Sequence, residues 1–357
     1  MRDTGVDQML KSAVTMATEF NGVTIMTKQT MIKRSQLKQL AASVSLLALA
    51  GGASAQAFPT KPITIVVGFA AGGPTDIVAR TIAASMEKTL GQPVLVENKA
   101  GAGAIIGISD VARSRGDGYK LLVHHIGMAT APNLYRRLSF DPLRNFEYVG
   151  LINDVPMVML TKLDMPVKNM SEMIAYVKAN KNKVSFANAG VGSASHLCGL
   201  MFMSTIKTEL TTVPYKGTAP AMTDLIGGQV DMLCDQTTST TAFIKGGKVR
   251  PIALTTMRRL PTLPDIPTAN ESGLPGFSLS VWHGMYAPKD TPKPVMDKLV
   301  AALQVAVSDP AVRKRFDELG AETVTKERAT PEALQKHLKA EIAKWGPIIR
   351  ASGVYAD

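Results

Sequence analysis

Two short segments carry residue types suited to holding an anion. Ala71-Gly72-Gly73-Pro74-Thr75-Asp76 follows the β-branched run Ile63–Phe69 and precedes Val78, Ile82 and Met86 at helical spacing. Asn188-Ala189-Gly190-Val191-Gly192-Ser193-Ala194-Ser195-His196 follows Val184–Ala187 in the same way. Each reads as strand, glycine turn and helix start. Glycine lets the backbone turn tightly and lets a ligand approach the N–H groups. Pro74 suits a first helical turn, and Ser193 or Ser195 can cap one. First-turn N–H groups lack partners within the helix, and the helix dipole adds to their pull on a negative charge. His196, in the first turn, could donate to a ligand. Asp235 ends the apolar run Val230–Cys234. It could accept a ligand hydroxyl, amine or protonated acid, and would repel a misplaced anion. For each segment a plain βα turn or helix cap is the alternative.

Other patterns point away from catalysis and cofactors. Gly101-Ala102-Gly103-Ala104-Ile105-Ile106-Gly107 is G-x-G-x-x-x-G, and the following strand ends without an acid for a ribose hydroxyl, so no dinucleotide is expected. Ser193, His196 and Asp235 could be drawn as a hydrolytic triad. There is no G-x-S-x-G elbow, however, and a Ser and His three apart at a helix start suit capping better. No Cys/His spacing suggests zinc, and no cofactor is expected. His124-His125 is an isolated pair. Alternate strand residues face opposite sides, so one of the two, His125, is expected to reach a cleft.

The elements that must position these residues alternate strand and helix, which implies α/β with parallel sheets. Strands are expected at Ile63–Phe69, Val94–Glu97, Lys120–Val123, Tyr148–Asn153, Met157–Leu163, Val184–Ala187, Thr211–Val213, Val230–Cys234 and Val249–Thr255. Pro261–Pro275 must be irregular, because Pro cannot sit in helices or central strands. Three helices end the chain: Pro294–Ser308, Ala311–Leu319 and Pro331–Ser352. So many strands call for two lobes, each a sheet flanked by helices with a ligand cleft between them. Crossings are expected near residues 158 and 286. Residues 58–158 plus 287–357 then make one lobe, and 159–286 the other.

The chain has 357 residues and a formal charge of +11. Its hydrophobic fraction of 45% supports a sizeable core, and 5% aromatics are too few for stacking platforms on sugars or single strands. No long basic tract suggests nucleic acid, and a positive balance spread along the chain fits small anions. Residues 31–57 read as a secretory signal peptide: Lys33, Arg34 and Lys38, an apolar run from Leu40 to Ala50, then A-x-A sites at Ala53-Ser54-Ala55 and Ala55-Gln56-Ala57. Residues 1–30 read as an upstream extension, with synthesis starting at Met31. Cleavage after Ala57 removes six basic and three acidic residues, leaving +8. An exported, soluble product is expected. Cys198 and Cys234 are expected as two buried free thiols, with a single bridge as the alternative.

The chain resembles the solute-binding proteins of the tripartite tricarboxylate transporters, the Bug family, across essentially all of residues 58–357. The resemblance rests on FPTKPITIVVGFAAGGPTDIVAR, ENKAGAGAIIG, FANAGVGSASHL, VPYKGTAPAMTDLIGGQVDMLCD, LPTLPDIPTANESGLPGF and YAPKDTPKPVMDKL, in that order. It implies a two-lobe periplasmic binding fold, type II-like, that closes on a small carboxylate and delivers it to two integral membrane transporter subunits. It places ligand contacts at Phe69, Ala71, Gly72, Gly73, Thr75 and Asp76, at Gly192, Ser193 and His196, and at Asp235. The family's usual proline-alanine lead is Ala70-Ala71 here, its second-loop lead is more polar than Phe186-Ala187-Asn188, and His124-His125 with Met128 replace small polar residues. A His- and Met-bearing pocket suits a flatter, larger ligand than succinate, such as an aromatic dicarboxylate. The expected protein is a monomeric periplasmic receptor and not an enzyme. A ligand-sensing adaptor for a sensor kinase is the rival reading, and an exported hydrolase the third.

Overall fold

The computed structural model describes residues 58–353, 355 and 356, so the signal peptide and the upstream extension lie outside the described residues. Strand β1 (Ile63–Val67) is buried at every position except Thr64, as a β-branched strand covered on both faces must be. It pairs in parallel with β2 (Val94–Asn98) and β3 (Lys120–His125). Helix α1 (Pro74–Leu90) starts with Pro at its first turn and stops at Gly91, whose left-handed φ of 67° lets its N–H reach Glu87 O. Helices α2 (Ile105–Ala112) and α3 (Gly127–Leu134) follow β2 and β3.

Strand β4 (Phe146–Thr161) replaces the two strands expected at 148–153 and 157–163. Pro156 does not break it, because β4 changes partners there. Phe146 to Pro156 pair with β9 (Ser280–Pro288), whereas Met157 to Thr161 pair with β7 (Met232–Gln236) and β8 (Arg250–Leu254). A residue without an N–H is tolerated where one ladder ends and another begins.

The second sheet continues from β7 to β5 (Ser185–Asn188) and β6 (Thr211–Pro214), with parallel pairing. Its helices are α4 (Met170–Ala179), α5 (Ala194–Ile206), α6 (Thr218–Ile226) and α7 (Thr237–Lys245). A separate small core there holds Val158, Leu160, Leu225, Leu233 and Leu254. The chain closes with α8 (Lys293–Ser308), α9 (Pro310–Glu318), the short β10 (Glu322–Thr323) on β4, and α10 (Pro331–Ser352). No helix among the described residues is long and apolar enough to cross a membrane.

The fold is α/β with two lobes, one on each half of a sheet ordered β2-β1-β3-β9-β4-β7-β5-β6. Its outer strands are parallel as expected, but β9 and β4 run antiparallel to their neighbours at the centre. Strand β9 has no counterpart in the sequence reading. It is buried everywhere except Ser280, yet Gly284 interrupts its apolar pattern. A Cβ at Gly284 would lie 2.7 Å from Leu334 of α10, so the close helix demands the residue that hides the strand.

One expectation is overturned outright. Cys198 and Cys234 form a disulfide, with Cα atoms 6.1 Å apart, and are not free thiols. Helix α5 packs on β7, which brings two residues 36 apart in sequence within bridging range. Closing a loop of that length is worth roughly 4 kcal/mol in the chain-entropy picture.

Candidate functional site

Every functional loop leaves the carboxyl end of a strand, where open α/β sheets place their ligands. The loop after β1 is shaped by Asp76. Its carboxylate accepts from Gly72 N at 2.9 Å, Asn98 Nδ2 at 2.9 Å and Arg80 Nε at 3.0 Å. Burial works to raise its pKa, but bonds from Arg80, Gly72 and Asn98 outweigh that and hold the carboxyl below its ordinary value. Gly72 adopts φ +78°, a left-handed conformation that lets its N–H turn back to Asp76. Asn98 also donates to Phe69 O at 3.0 Å, pinning the end of β1.

The loop after β5 is held by its own side chains. Ala189 N donates to Ser195 Oγ at 2.7 Å, Gly190 N to Asn188 Oδ1 at 2.9 Å, and Gly192 N to His196 Nδ1 at 3.2 Å. Ser193 caps α5 by accepting from His196 N at 3.2 Å. The His196 ring therefore serves the loop, and burial lowers its pKa to about 4, so it is neutral. Ser193 bonds the backbone of His196 and not its ring, while Asp235 bonds elsewhere. The three make no nucleophile–base–acid chain.

Asp235 is 1% exposed. Its Oδ2 accepts from Thr218 Oγ1 at 2.6 Å and its Oδ1 from Gln236 N at 2.7 Å. Burial raises its pKa to about 6, and these two bonds only partly offset the rise. His125 Nδ1 accepts from Gly127 N at 2.9 Å, so the proton of its neutral ring sits on Nε2. Burial lowers its pKa to about 3. The expectation that His124 and His125 part to opposite sides is not met. Their rings lie 4.5 Å apart and both pack on Phe69, at 5.6 and 5.0 Å, because β3 ends at His125 and leaves its side chain free to fold back.

A small cavity lies between the two loops. Phe69, Pro74, Thr75 and His125 line it from the first sheet's side. Ser193, Ala194, Ser195, Thr218, Asp235 and Gln236 face them, beside Ala189. Its volume is about 10 Å³, room for one water. Ala71, Gly72, Gly73, Asp76, Gly192 and His196 lie in the same loops or helix starts and do not line the cavity. The first turns of α1, α5 and α6 and the residue preceding α7 meet here, and no Lys or Arg lines the cavity. A larger depression of about 550 Å³, beside Arg258, Arg259 and Asp317, holds no helix start.

Each loop also touches the opposite lobe directly. Ala70 N donates to Lys216 O at 3.1 Å, and the Tyr135 hydroxyl lies 3.0 Å from Val191 O. A Cβ at Gly217 would sit 2.9 Å from Ala70 N, so a larger residue would hold the two sides apart.

Thr218, Gln236 and His283 were missed from sequence. Tyr215-Lys216-Gly217 separate β6 from α6 with a single glycine and no glycine pair, although the strand-end rule would have pointed to Thr218. His283 lies on the unread β9. Its Nδ1 is 2.9 Å from Asn153 Oδ1 and its Nε2 is 3.3 Å from Thr75 Oγ1, so it props the wall from behind.

Two lobes meeting over a cavity rimmed by helix starts define a solute-binding protein. The comparisons carry this further. A family model described as the tripartite tricarboxylate transporter family receptor matches residues 78–354, and the chain belongs to that family. A UPF0065 protein from the TAR-I ttuE-ttuC' intergenic region of Agrobacterium vitis is 47% identical over 334 residues, covering 93% of this chain and 96% of that protein. The structure of the periplasmic binding protein BugD is similar with a TM-score of 0.82 and 52% identity, covering 84% of this chain and 99% of its own. MatC of Rhodopseudomonas palustris, solved with bound malate, has a TM-score of 0.79 and 39% identity, covering 82% of this chain and 100% of its own. The protein is a non-catalytic periplasmic receptor that binds a small carboxylate and works with membrane permease subunits.

Proposed function

We propose that the solute carboxylate is held between the tips of α1 and α5 by N–H and hydroxyl donors, with no cationic side chain, as the lobes close. The carrying observation is the meeting of several helix starts around one cavity without Lys or Arg. Phe69, Thr75, His125, Ser193 and Asp235 are the proposed contacts, joined by Thr218 and Gln236. Ala71, Gly72, Gly73, Asp76, Gly192 and His196 shape the loops that present them. The aromatic rings of Phe69 and His125 in the lining suit a solute with a planar apolar part, and the bound malate of MatC makes hydroxy-dicarboxylates the other class to test. A cavity of about 10 Å³ admits neither unless the lobes part, so capture proceeds by opening and reclosing.

We place the lobe crossings where pairing changes: at Pro156/Met157 on β4, and ahead of Ser280 on the return. The lobes are then 58–156 plus 280–357, and 157–279. The receptor acts as a monomer on two membrane subunits. Calorimetry with malate, succinate, citrate, terephthalate, glutamate and glucose tests the reading. At least one carboxylate should bind tightly. Binding of glucose with no carboxylate bound would overturn it. Loss of solute uptake on deletion of the gene supports the permease as partner, and intact uptake with a lost transcriptional response would favour a sensor kinase.

A further inference from the structure

The Cys198–Cys234 bridge joins the two segments that carry most of the second-lobe cavity lining. Cys198 stands two residues after His196 in α5, and Cys234 immediately precedes Asp235 on β7. Both are fully buried. The closed loop, residues 198–234, contains Thr218, which donates to Asp235. Ser193 and Ser195 lie just before it, and Asp235 and Gln236 just after it. Nearly the whole second-lobe wall is therefore inside the loop or within a helical turn or so of a bridged cysteine. Among the described residues no hydrogen bond or ion pair joins the first turn of α5 to β7. That turn bonds only to the loop after β5, whose ladder with β7 ends at Ala187 and Leu233, and the Asp235 carboxylate bonds only to Thr218 and Gln236. Apolar packing resists sliding poorly, and small displacements of a donor weaken a site strongly.

We infer that the disulfide is a positioning element of the solute site. It holds the first-turn amides of α5 at a set place relative to the Asp235 carboxyl, so that donors and acid close on the solute as one rigid wall. Stabilisation of the fold is a separate consequence of the same bond.

The test is hydrogen exchange on the full protein carrying Cys198→Ala and Cys234→Ala. Amides of residues 192–197, 218 and 219 should exchange about tenfold faster, while those of residues 72, 73 and 75–78 in the first lobe keep their rate. Leu299→Ala, in the buried face of α8, serves as a control that lowers the melting temperature without touching the wall. If both variants speed the 192–197 amides equally, or neither does, the bridge is a stabilising crosslink only and the inference fails. Wild-type protein treated with excess dithiothreitol, which becomes its cyclic disulfide as the bridge becomes two thiols, should match the double variant without a change of side-chain volume. Affinity for whichever carboxylate of the panel binds wild type should fall about tenfold, well below the melting temperature. This last readout rests on the carboxylate reading, whereas the exchange result does not. A protein that binds no carboxylate would refute that reading and leave the bridge to be judged by exchange.

Discussion

The tips of α1 and α5 look alike in sequence and differ in construction. Gly73 leads into α1 with an extended backbone and no side-chain cap, then Pro74, with Asp76 in the first turn. Ser193 leads into α5 with a similar backbone but caps it, and no acid follows. Around α1 a buried carboxylate, paired with Arg80 and hydrogen-bonded by Asn98, organises a bare tip. Around α5 hydroxyls, an imidazole and an amide occupy the loop's own N–H groups. The first tip is thus left to an external anion, whereas the second spends part of its donor capacity on its own shape. Ligand sensitivity should concentrate at α1 and stability at α5.

The largest expected effect tests the bare tip. Gly73→Asp adds a negative charge at the start of α1, next to Pro74 and Thr75 of the cavity lining. Gly73 already has a φ of −78° and Asp is a favoured N-cap, which offsets the 3.3 Å approach of its Cβ to Ala70 O, so the melting temperature should change by only a few degrees while carboxylate binding falls by about 100-fold or more. Retained affinity measured by calorimetry would mean the anion does not meet α1.

Next comes Asp235, on the other side. Its folded pKa of about 6 exceeds the ordinary 3.8, so the folded state takes up this proton more readily than the unfolded chain. The resulting stability is full below 3.8 and is lost as pH rises through 6. Above pH 6 the buried charge costs up to about 3 kcal/mol. Asp235→Asn should therefore raise the melting temperature at pH 8, with the advantage vanishing near pH 4. An equal shift at both pH values would show that charge is not the cause.

The buried imidazoles run the opposite way. His125 and His196 have folded pKa values of about 3 and about 4, below the ordinary 6.5. On acidification the unfolded chain protonates first, so each residue removes about 2 kcal/mol of stability by pH 5. Burial also holds His124 and His283 well below the ordinary value. Denaturant midpoints should fall between pH 6.5 and 5 despite the opposing gain from Asp235, and His125→Phe should flatten that fall.

The smallest effect belongs to the capped tip. Ser193→Ala should cost about 1 kcal/mol of stability and weaken binding only a few-fold. A loss of affinity as large as that of Gly73→Asp would erase the distinction between the tips.

Much of this site was legible before folding. Strand, glycine turn and helix start are local patterns, and they located both loops and the helix beginning at Ala194. Phe69, Thr75, Ser193 and Asp235 come together because all four lie at or just past the carboxyl ends of strands, a rule of topology that sequence order alone satisfies. His125 reaches the same wall, but not by the alternation that singled it out.

What stayed hidden is long-range. Strand β9 could not be read because Gly284 answers to a helix residue 50 positions away, Leu334, and not to its neighbours. The unbroken β4 depended on which strands flank Pro156, and the disulfide on α5 lying against β7. Thr218, Gln236 and His283 owe their roles to the same distant packing. Local hydrogen-bonding chemistry and residue periodicity are written within a few positions of each other, so the sequence by itself determined the two anion-seeking loops and their helices. Which of their atoms face a common cavity, and which serve only to brace it, was decided by tertiary structure, because it depends on contacts between residues that the chain keeps far apart.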